Sequence, residues 1–325
     1  MKYRSFGART GLQVSELVLG TGLLGQAAGY GPDPATVRAI LDDYLRAGGN
    51  ILDLSDAYQG GESERVVGER VQPVRDDVVL VSKYSRSASA TPGRAAVGAG
   101  RKVMMQSVDA SLRRLRTDRI DVYLLHVDDG ATPIDELARG FDDLVRAGKI
   151  VHGGLSNTPA WRAAALAATA GARGDSPIAA VQLEYNLFER TSDRELLPMA
   201  RAFGLAVMGY SPLAAGLLTA KYRAGERGRA TELARSVSHT DTERNTAILD
   251  QVVAIAAELA VRPGQIALAW ALAQGVFPII GARTPDQLAE SLAAAQLRLS
   301  ADQLARLEDV SRTPAGYTPT SCYRS

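Results

Sequence analysis

Asp53, Tyr58, Lys83 and His126 are side chains of this 325-residue chain whose types, taken together, describe a reaction. A phenol titrates near pKa ~10 and is a weak proton donor to a carbonyl at neutral pH. A lysine ammonium about 4 Å away, at an effective dielectric near 20, favours the phenolate by ~4 kcal/mol, so Tyr58 beside Lys83 is expected to have a lowered pKa. An ammonium at a partly buried rim needs a counter-charge, which Asp53 supplies. His126 adds a donor that can orient and polarise a carbonyl oxygen. The set describes protonation of an oxygen whose carbon is receiving hydride. Ser156, Asn157 and Gln182 carry groups able to pair with a carboxamide, and Tyr210 offers a face on which a nicotinamide can stack. Each residue alone has a duller reading: a solvated strand end for Lys83, a satisfied rim histidine for His126, loop packing for Tyr58. The duller readings weaken because a polar or ionisable side chain ends one apolar run after another.

Those runs are the elements that must position the chemistry. The segments 16–20, 50–54, 77–83, 120–126, 150–155, 178–184, 205–210 and 276–281 are short, apolar and rich in β-branched residues. They are nearly continuous rather than alternating, as strands covered on both faces are. Helical patterns over 34–47, 62–71, 100–115, 134–147, 159–170, 192–203, 263–273 and 285–294 separate them. Asp33-Pro34, Thr158-Pro159 and Thr284-Pro285 place a capping side chain before a proline at the first helical position, and Gly48, Gly148 and Gly204 stand at helix ends. Eight strands alternating with eight helices predict an α/β protein with a parallel sheet, closed as a (β/α)₈ TIM barrel. The rival on pattern alone is an open doubly wound sheet. In a barrel, the C-terminal strand ends build the active rim, where the polar residues above fall.

Residues 2–6 and 12–14 predict a small N-terminal hairpin. Residues 214–261 are a long polar excursion followed by an extra helix over 242–259, and loops of that length are usually functional. A helix over 301–310 precedes a C-terminal tail, 311–325, and the whole chain, 1–325, is expected to be one barrel domain. Gly20-Thr-Gly-Leu-Leu-Gly25 matches the dinucleotide fingerprint on paper, with Asp42 or Asp43 about twenty residues on. The context fails, because Gly29, Gly31, Pro32 and Pro34 break the helix that fingerprint requires.

Composition narrows the function classes. The apolar fraction is 46% and the charged fraction 22%, enough for a large core. A net charge of +1 gives no electrostatic reason for a nucleic-acid or membrane partner. A lone Cys322 permits no internal disulfide, and the first residues show no apolar signal region, so a cytoplasmic protein is expected.

The ordered motifs Asp53-Leu-Ser-Asp-Ala-Tyr58, Gly61-Glu-Ser-Glu64, Ser82-Lys83, Asp121-Val-Tyr-Leu-Leu-His126, Gly154-Leu-Ser-Asn157, Gln182, Tyr210-Ser-Pro-Leu213 and Gly281-Ala-Arg283 span nearly the whole chain. On them the sequence resembles the aldo-keto reductases, in particular the branch with aryl-alcohol dehydrogenase-like, sugar-reducing and potassium-channel β-subunit-like members. The resemblance implies a barrel without a Rossmann domain and NADPH/NADP+ bound in extended form. It implies Tyr58 as general acid, Lys83 and Asp53 tuning it, and His126 orienting the carbonyl. Gly20, Thr21 and Gly22 match the first cofactor turn. Ser211, Pro212, Leu213 and Lys221 match the pyrophosphate side, and Gly281, Arg283, Gln287 and Glu290 the adenosine end, where Ser291 also stands. The family often has Asn where this chain has Ser291, and some branches have Arg where it has Gln287. Arg283, with Lys221 or an arginine from 223–235, can still supply positive charge to a 2′-phosphate.

The expected activity is reversible NADPH-dependent reduction of aldehydes or ketones. The alternatives are an NADP(H)-binding regulatory or scaffold subunit with little turnover, or a sugar or nucleotide-sugar reductase. A Schiff-base aldolase is disfavoured because Asp53 would keep Lys83 protonated. A metal-dependent hydrolase is disfavoured because the chain holds only His126, His152 and His239, so no metal is expected. Leu23, Leu24, Tyr30, Tyr84, the loop after Ala214, Tyr317 and Tyr323 are candidate pocket walls for a small-molecule carbonyl substrate, beside Tyr58 and His126. The chain is expected to act as a monomer or homo-oligomer.

Overall fold

The computed structural model describes residues 1–225, 228 and 242–313. Strands β1 (Tyr3–Ser5) and β2 (Gln13–Ser15) form an antiparallel hairpin. Eight parallel strands then close into a barrel: β3 (Val18–Gly20), β4 (Ile51–Asp53), β5 (Val79–Tyr84), β6 (Ile120–Leu125), β7 (Ile150–Ser156), β8 (Ile178–Glu184), β9 (Ala206–Tyr210) and β10 (Phe277–Ile280), with β10 pairing back onto β3. The fold is the (β/α)₈ barrel expected. Its strands run near the sequence-derived bounds because each is apolar on both faces.

The two faces build two cores. Val18, Ile51, Val79, Val81, Val122, Leu124, Ala180, Ala206, Met208, Phe277 and Ile279 fill the barrel interior. Phe6 and Val14, from the hairpin and its turn, join that cluster and plug the N-terminal end, with the Phe6 and Phe277 rings 5.4 Å apart. The alternate residues Leu19, Leu52, Leu80, Tyr84, Tyr123 and Leu125 face outward into a larger cluster with the helices. Since side chains alternate along a strand, the interior set continues, two residues further on, into the C-terminal rim.

The helices are α1 (Pro34–Arg46), α2 (Glu62–Val71), α3 (Arg101–Leu115), α4 (Ile134–Arg146), α5 (Ala160–Arg173), α6 (Leu196–Phe203), α7 (Glu243–Glu258), α8 (Pro263–Ala273), α9 (Pro285–Ala293) and α10 (Ala301–Ser311). The Asp33 carboxylate caps α1 by accepting from Ala35 N and Thr36 N, and Thr284 Oγ1 caps α9 by accepting from Gln287 N. Thr158 is no cap. Its hydroxyl donates to Ser156 O, and α5 begins after Pro159 with no capping side chain. Gly48, Gly148 and Gly204 all have positive φ, as chain reversals after α1, α4 and α6 require. The segment after Gly20 holds turns rather than a helix until Pro34, so the glycine fingerprint is not a dinucleotide-binding βα unit. Within the long excursion, two 3₁₀ turns (Ala214–Thr219 and Lys221–Ala224) and α7 are seen; the arginines between 227 and 235, His239 and the tail with Tyr317, Cys322 and Tyr323 lie outside the described residues. No single helix among the described residues is long and apolar enough to cross a membrane.

Candidate active site

The interior alternation delivers Gly20, Asp53, Lys83, His126, Gln182 and Tyr210 to one rim, each two residues beyond an interior residue of its strand. Lys83 Nζ donates to Asp53 Oδ1 at 2.7 Å, to Leu54 O at 2.7 Å and to Tyr58 OH at 3.1 Å. Gln182 Nε2 donates to the same Asp53 oxygen at 2.7 Å. The rings of Tyr58 and His126 meet edge to face, 5.8 Å between centroids. The four residues that sequence reasoning grouped therefore converge, although they come from three strands and one 3₁₀ turn.

Lys83 is fully buried. Burial alone would lower its pKa, but Asp53 and then Tyr58 outweigh it and raise it, so the ammonium persists. Tyr58 differs from expectation. Burial raises its pKa more than Lys83 lowers it, so the free protein holds a neutral phenol with its proton in place. Burial, then Lys83 and Arg86, push the His126 imidazole down to about 3, which leaves the ring neutral at ordinary pH. Among the described residues no group of three His, Cys, Asp or Glu side chains is placed to hold a metal.

A second layer holds the rim. Ser55 Oγ lies 3.0 Å from His126 Nδ1 and donates to Asp56 Oδ1 at 3.1 Å. Tyr210 OH donates to Asn157 Oδ1 at 2.9 Å, and Asn157 Nδ2 donates to His126 O at 2.9 Å and Ser156 Oγ at 3.0 Å. Asn186 Nδ2 donates to Ser211 O at 3.0 Å. Asn157, Ser211, Ala214, Ala215 and Ala220 all have positive φ although none is glycine, a concentration of strained backbone typical of ligand sites. Ser55 and Asn186 stand in the motifs beside Asp53 and Gln182, but the sequence reading gives neither a role. Ser55 follows the apolar strand by two positions, the spacing that brings a side chain back to the rim.

The remaining candidates divide. Gly22 and Gly281 leave space over the backbone: the three atoms nearest a Cβ on Gly22 all belong to the Tyr58 ring, at 3.7 Å, and a Cβ on Gly281 would meet nothing within 4 Å. Lys221 Nζ sits against Gly216 and Gly228, where a Cβ would lie 3.3 and 2.7 Å from it. Arg283 Cζ lies 4.6 Å from the Tyr30 ring centroid, and Arg283 N donates to Gln287 Oε1 at 2.9 Å. Glu290 O accepts from Gln265 Nε2, while Ser291 is buried in α9. Leu213 and Leu23 are half-buried, whereas Pro212 is buried in the turn after β9.

Three assignments are corrected. Tyr84 faces away from the rim: it is fully buried, stacks on Tyr123 with centroids 5.4 Å apart and donates its hydroxyl to Ala99 O, because it follows the inward Lys83 by one residue. Leu24 is likewise fully buried in the outer cluster and walls no pocket. Thr21 is consumed internally, its N–H and Oγ1 both directed to Asp53 O and its carbonyl accepting from Ser63 Oγ, so it anchors the turn rather than presenting polar groups.

The fold and this rim define a (β/α)₈ barrel with a Tyr, Lys, Asp and His cluster at the C-terminal strand ends. Residues 16–312 match the Aldo/keto reductase family, and the chain belongs to it. It is 34% identical to an uncharacterised oxidoreductase, YrpG, of Bacillus subtilis, over 98% of both chains. It is 30% identical to norsolorinic acid reductase of Aspergillus flavus, over 99% of this chain and 86% of the relative. A Saccharomyces cerevisiae relative that bears an aryl-alcohol dehydrogenase name is 30% identical, over 97% of this chain and 88% of its own length.

Proposed function

We propose that this protein reduces aldehydes or ketones to alcohols, reversibly, with NADPH as the hydride donor and Tyr58 as general acid. The observation that carries the reading is the buried chain Tyr58 OH, Lys83 Nζ, Asp53 Oδ1, linked at 3.1 and 2.7 Å. A carbonyl oxygen placed between Tyr58 and His126 accepts a hydrogen bond from the phenol and, when Nε2 carries the ring hydrogen, from His126. As its carbon becomes tetrahedral, the oxygen takes the phenol proton, and the negative charge that appears on Tyr58 lies 3.1 Å from the Lys83 ammonium. At that distance and an effective dielectric near 20, the attraction is worth ~5 kcal/mol and opposes, without cancelling, the burial that raises the phenol pKa. Asp53 keeps Lys83 charged through the cycle. His126, neutral, orients the oxygen without competing as an acid.

The donor set fits a nicotinamide dinucleotide. Tyr210 offers a ring face beside the amides of Asn157 and Gln182, Lys221 stands in a glycine-lined bend, and Arg283 stands near the N-terminus of α9. When bound, that group supplies the hydride. The reductase names of relatives support the same chemistry. Tyr58→Phe tests the reading: it is expected to lose 10²–10⁴-fold in carbonyl reduction, the usual worth of a positioned acid, while binding NADPH as the wild type does. Wild-type turnover in that variant, or no NADPH binding by the wild type, overturns it.

A further inference from the structure

Ser55 has a single hydroxyl hydrogen and two neighbours that compete for it. Its oxygen lies 3.1 Å from Asp56 Oδ1 and 3.0 Å from His126 Nδ1, and also accepts from Ala57 N at 3.2 Å. All three side chains are buried, with Ser55 at 0%, Asp56 at 2% and His126 at 7% exposure. We propose that Asp56 is a positioning residue that sets, through Ser55, which nitrogen of His126 carries the ring hydrogen.

The two arrangements follow from donor counting. When Asp56 is a carboxylate it is the stronger acceptor and takes the Ser55 hydrogen. The Ser55 oxygen must then accept from His126 Nδ1–H, which leaves Nε2 with only its lone pair. When Asp56 is protonated, its O–H donates to Ser55 and Ser55 donates to Nδ1, so the hydrogen sits on Nε2. The balance is simple: one proton passes from Asp56 to water, the Ser55 hydroxyl swings over, and the ring hydrogen moves from Nε2 to Nδ1 by exchange with water. His126 is neutral in both states.

The surroundings place this exchange in an accessible range. Burial and then Glu64 raise the Asp56 pKa to about 6, opposed by Ser55, Arg114 and the Ser87 N–H. Glu64 comes from α2 and is itself held by Ser82 Oγ and Arg114 Nε, both at 2.6 Å. Tyr123 faces Asp56 from β6, and Lys83, Arg86 and Tyr58 face His126. Only the Nε2–H form can donate from the side of the ring opposite Ser55. If carbonyl reduction is the activity, as proposed above, this form serves it, and about tenfold or more of His126's contribution is lost as Asp56 ionises, the worth of one hydrogen bond to a charged group.

The test reads the ring rather than turnover. In the full-length protein labelled with ¹⁵N-histidine, His126 is identified by its absence in His126→Gln, and its two nitrogen shifts are followed from pH 5 to 7.5. The expected result is a neutral ring that passes from the Nε2–H to the Nδ1–H form with a midpoint near 6, and no such step in Asp56→Asn or Ser55→Ala. The same tautomer at both ends of the wild-type range, or a step that survives in Asp56→Asn, overturns the proposal. The wild-type titration decides even if a variant fails to fold. A tautomer step in a protein whose Tyr58→Phe form still turns over would sink the reductase reading and leave this one standing.

Discussion

Lys83 and Gln182 donate to one and the same oxygen of Asp53, each over 2.7 Å, from strands β5 and β8 on different sides of the barrel. The Asp53 carboxylate is almost completely buried, so these two donors are what make its charge tolerable there. The ion pair also fixes the Lys83 ammonium within reach of Tyr58.

Lys83→Met is therefore expected to cost stability as well as chemistry. Breaking a buried pair leaves an uncompensated charge, which typically costs ~3–5 kcal/mol. The double variant Asp53→Asn/Lys83→Met should recover most of that loss in urea denaturation and remain as inactive as the single one. If the double variant is no more stable than Lys83→Met, the charge imbalance is not the origin of the cost.

Asp56 and His126 should give opposite slopes of stability with pH. The Asp56 pKa is raised by the fold from 3.8 to about 6, so its contribution is fully present below about pH 4 and is lost as pH rises through 6. The His126 pKa is lowered from 6.5 to about 3, so its contribution is present above about pH 6.5 and is lost as pH falls towards 3. Between pH 4 and 6 the two largely cancel. Asp56→Asn removes one slope, and its stability relative to the wild type should grow by roughly 2–3 kcal/mol from pH 4 to 6, then level off. A difference that stays constant with pH would show that Asp56 titrates alike in the folded and unfolded chains.

Cofactor preference should reside at Arg283. Its guanidinium lies over the Tyr30 ring, and its backbone N–H is tied to Gln287 Oε1 at the start of α9. Gln287 is thus occupied in shaping the turn, which leaves the charge at this end to Arg283. Arg283→Ala is expected to weaken NADPH binding 10- to 100-fold, the worth of a charge-assisted contact, and to change NADH binding less than about threefold. Fluorescence titration with both cofactors decides, and an equal change for the two places the 2′-phosphate contact elsewhere.

Much of this site is legible in the sequence. Asp53, Lys83 and His126 stand at the ends of apolar runs, and a barrel gathers strand ends, so type and position together sufficed. The alternation of side chains along β5 is legible too: once Lys83 points inward, Tyr84 cannot. The direction of the Tyr58 shift was not legible, because it depends on how deeply the phenol is buried against how near the ammonium lies. The Ser55 contact to His126 joins residues 71 apart in sequence, and no local pattern announces it. Thr158 satisfied the local rule for a cap and lost to its own bond with Ser156 O.

The glycine-rich turn after β3 supplies a further prediction, because its third glycine has a different reason from the one its pattern suggests. Gly25 has φ of 133°, and a Cβ there would fall 2.7 Å from Glu62 Oε2. That oxygen accepts from Gln26 N and Ala27 N at 3.0 Å each, while Gln59 Oε1 accepts from Ala28 N at 2.8 Å and Gln59 Nε2 donates to Gly22 O at 3.2 Å. The start of α2 and the turn before it therefore clamp the segment between β3 and α1, which carries Leu23 and Tyr30. Glu62→Ala removes two charge-assisted bonds from an exposed turn and no core packing. Amide exchange at Gln26 and Ala27 should accelerate 10- to 100-fold, and KM for cofactor and carbonyl should rise severalfold with kcat nearly unchanged, while Tm moves by no more than about 2 °C. Unchanged exchange at both amides would mean that Glu62 does not hold the turn in solution.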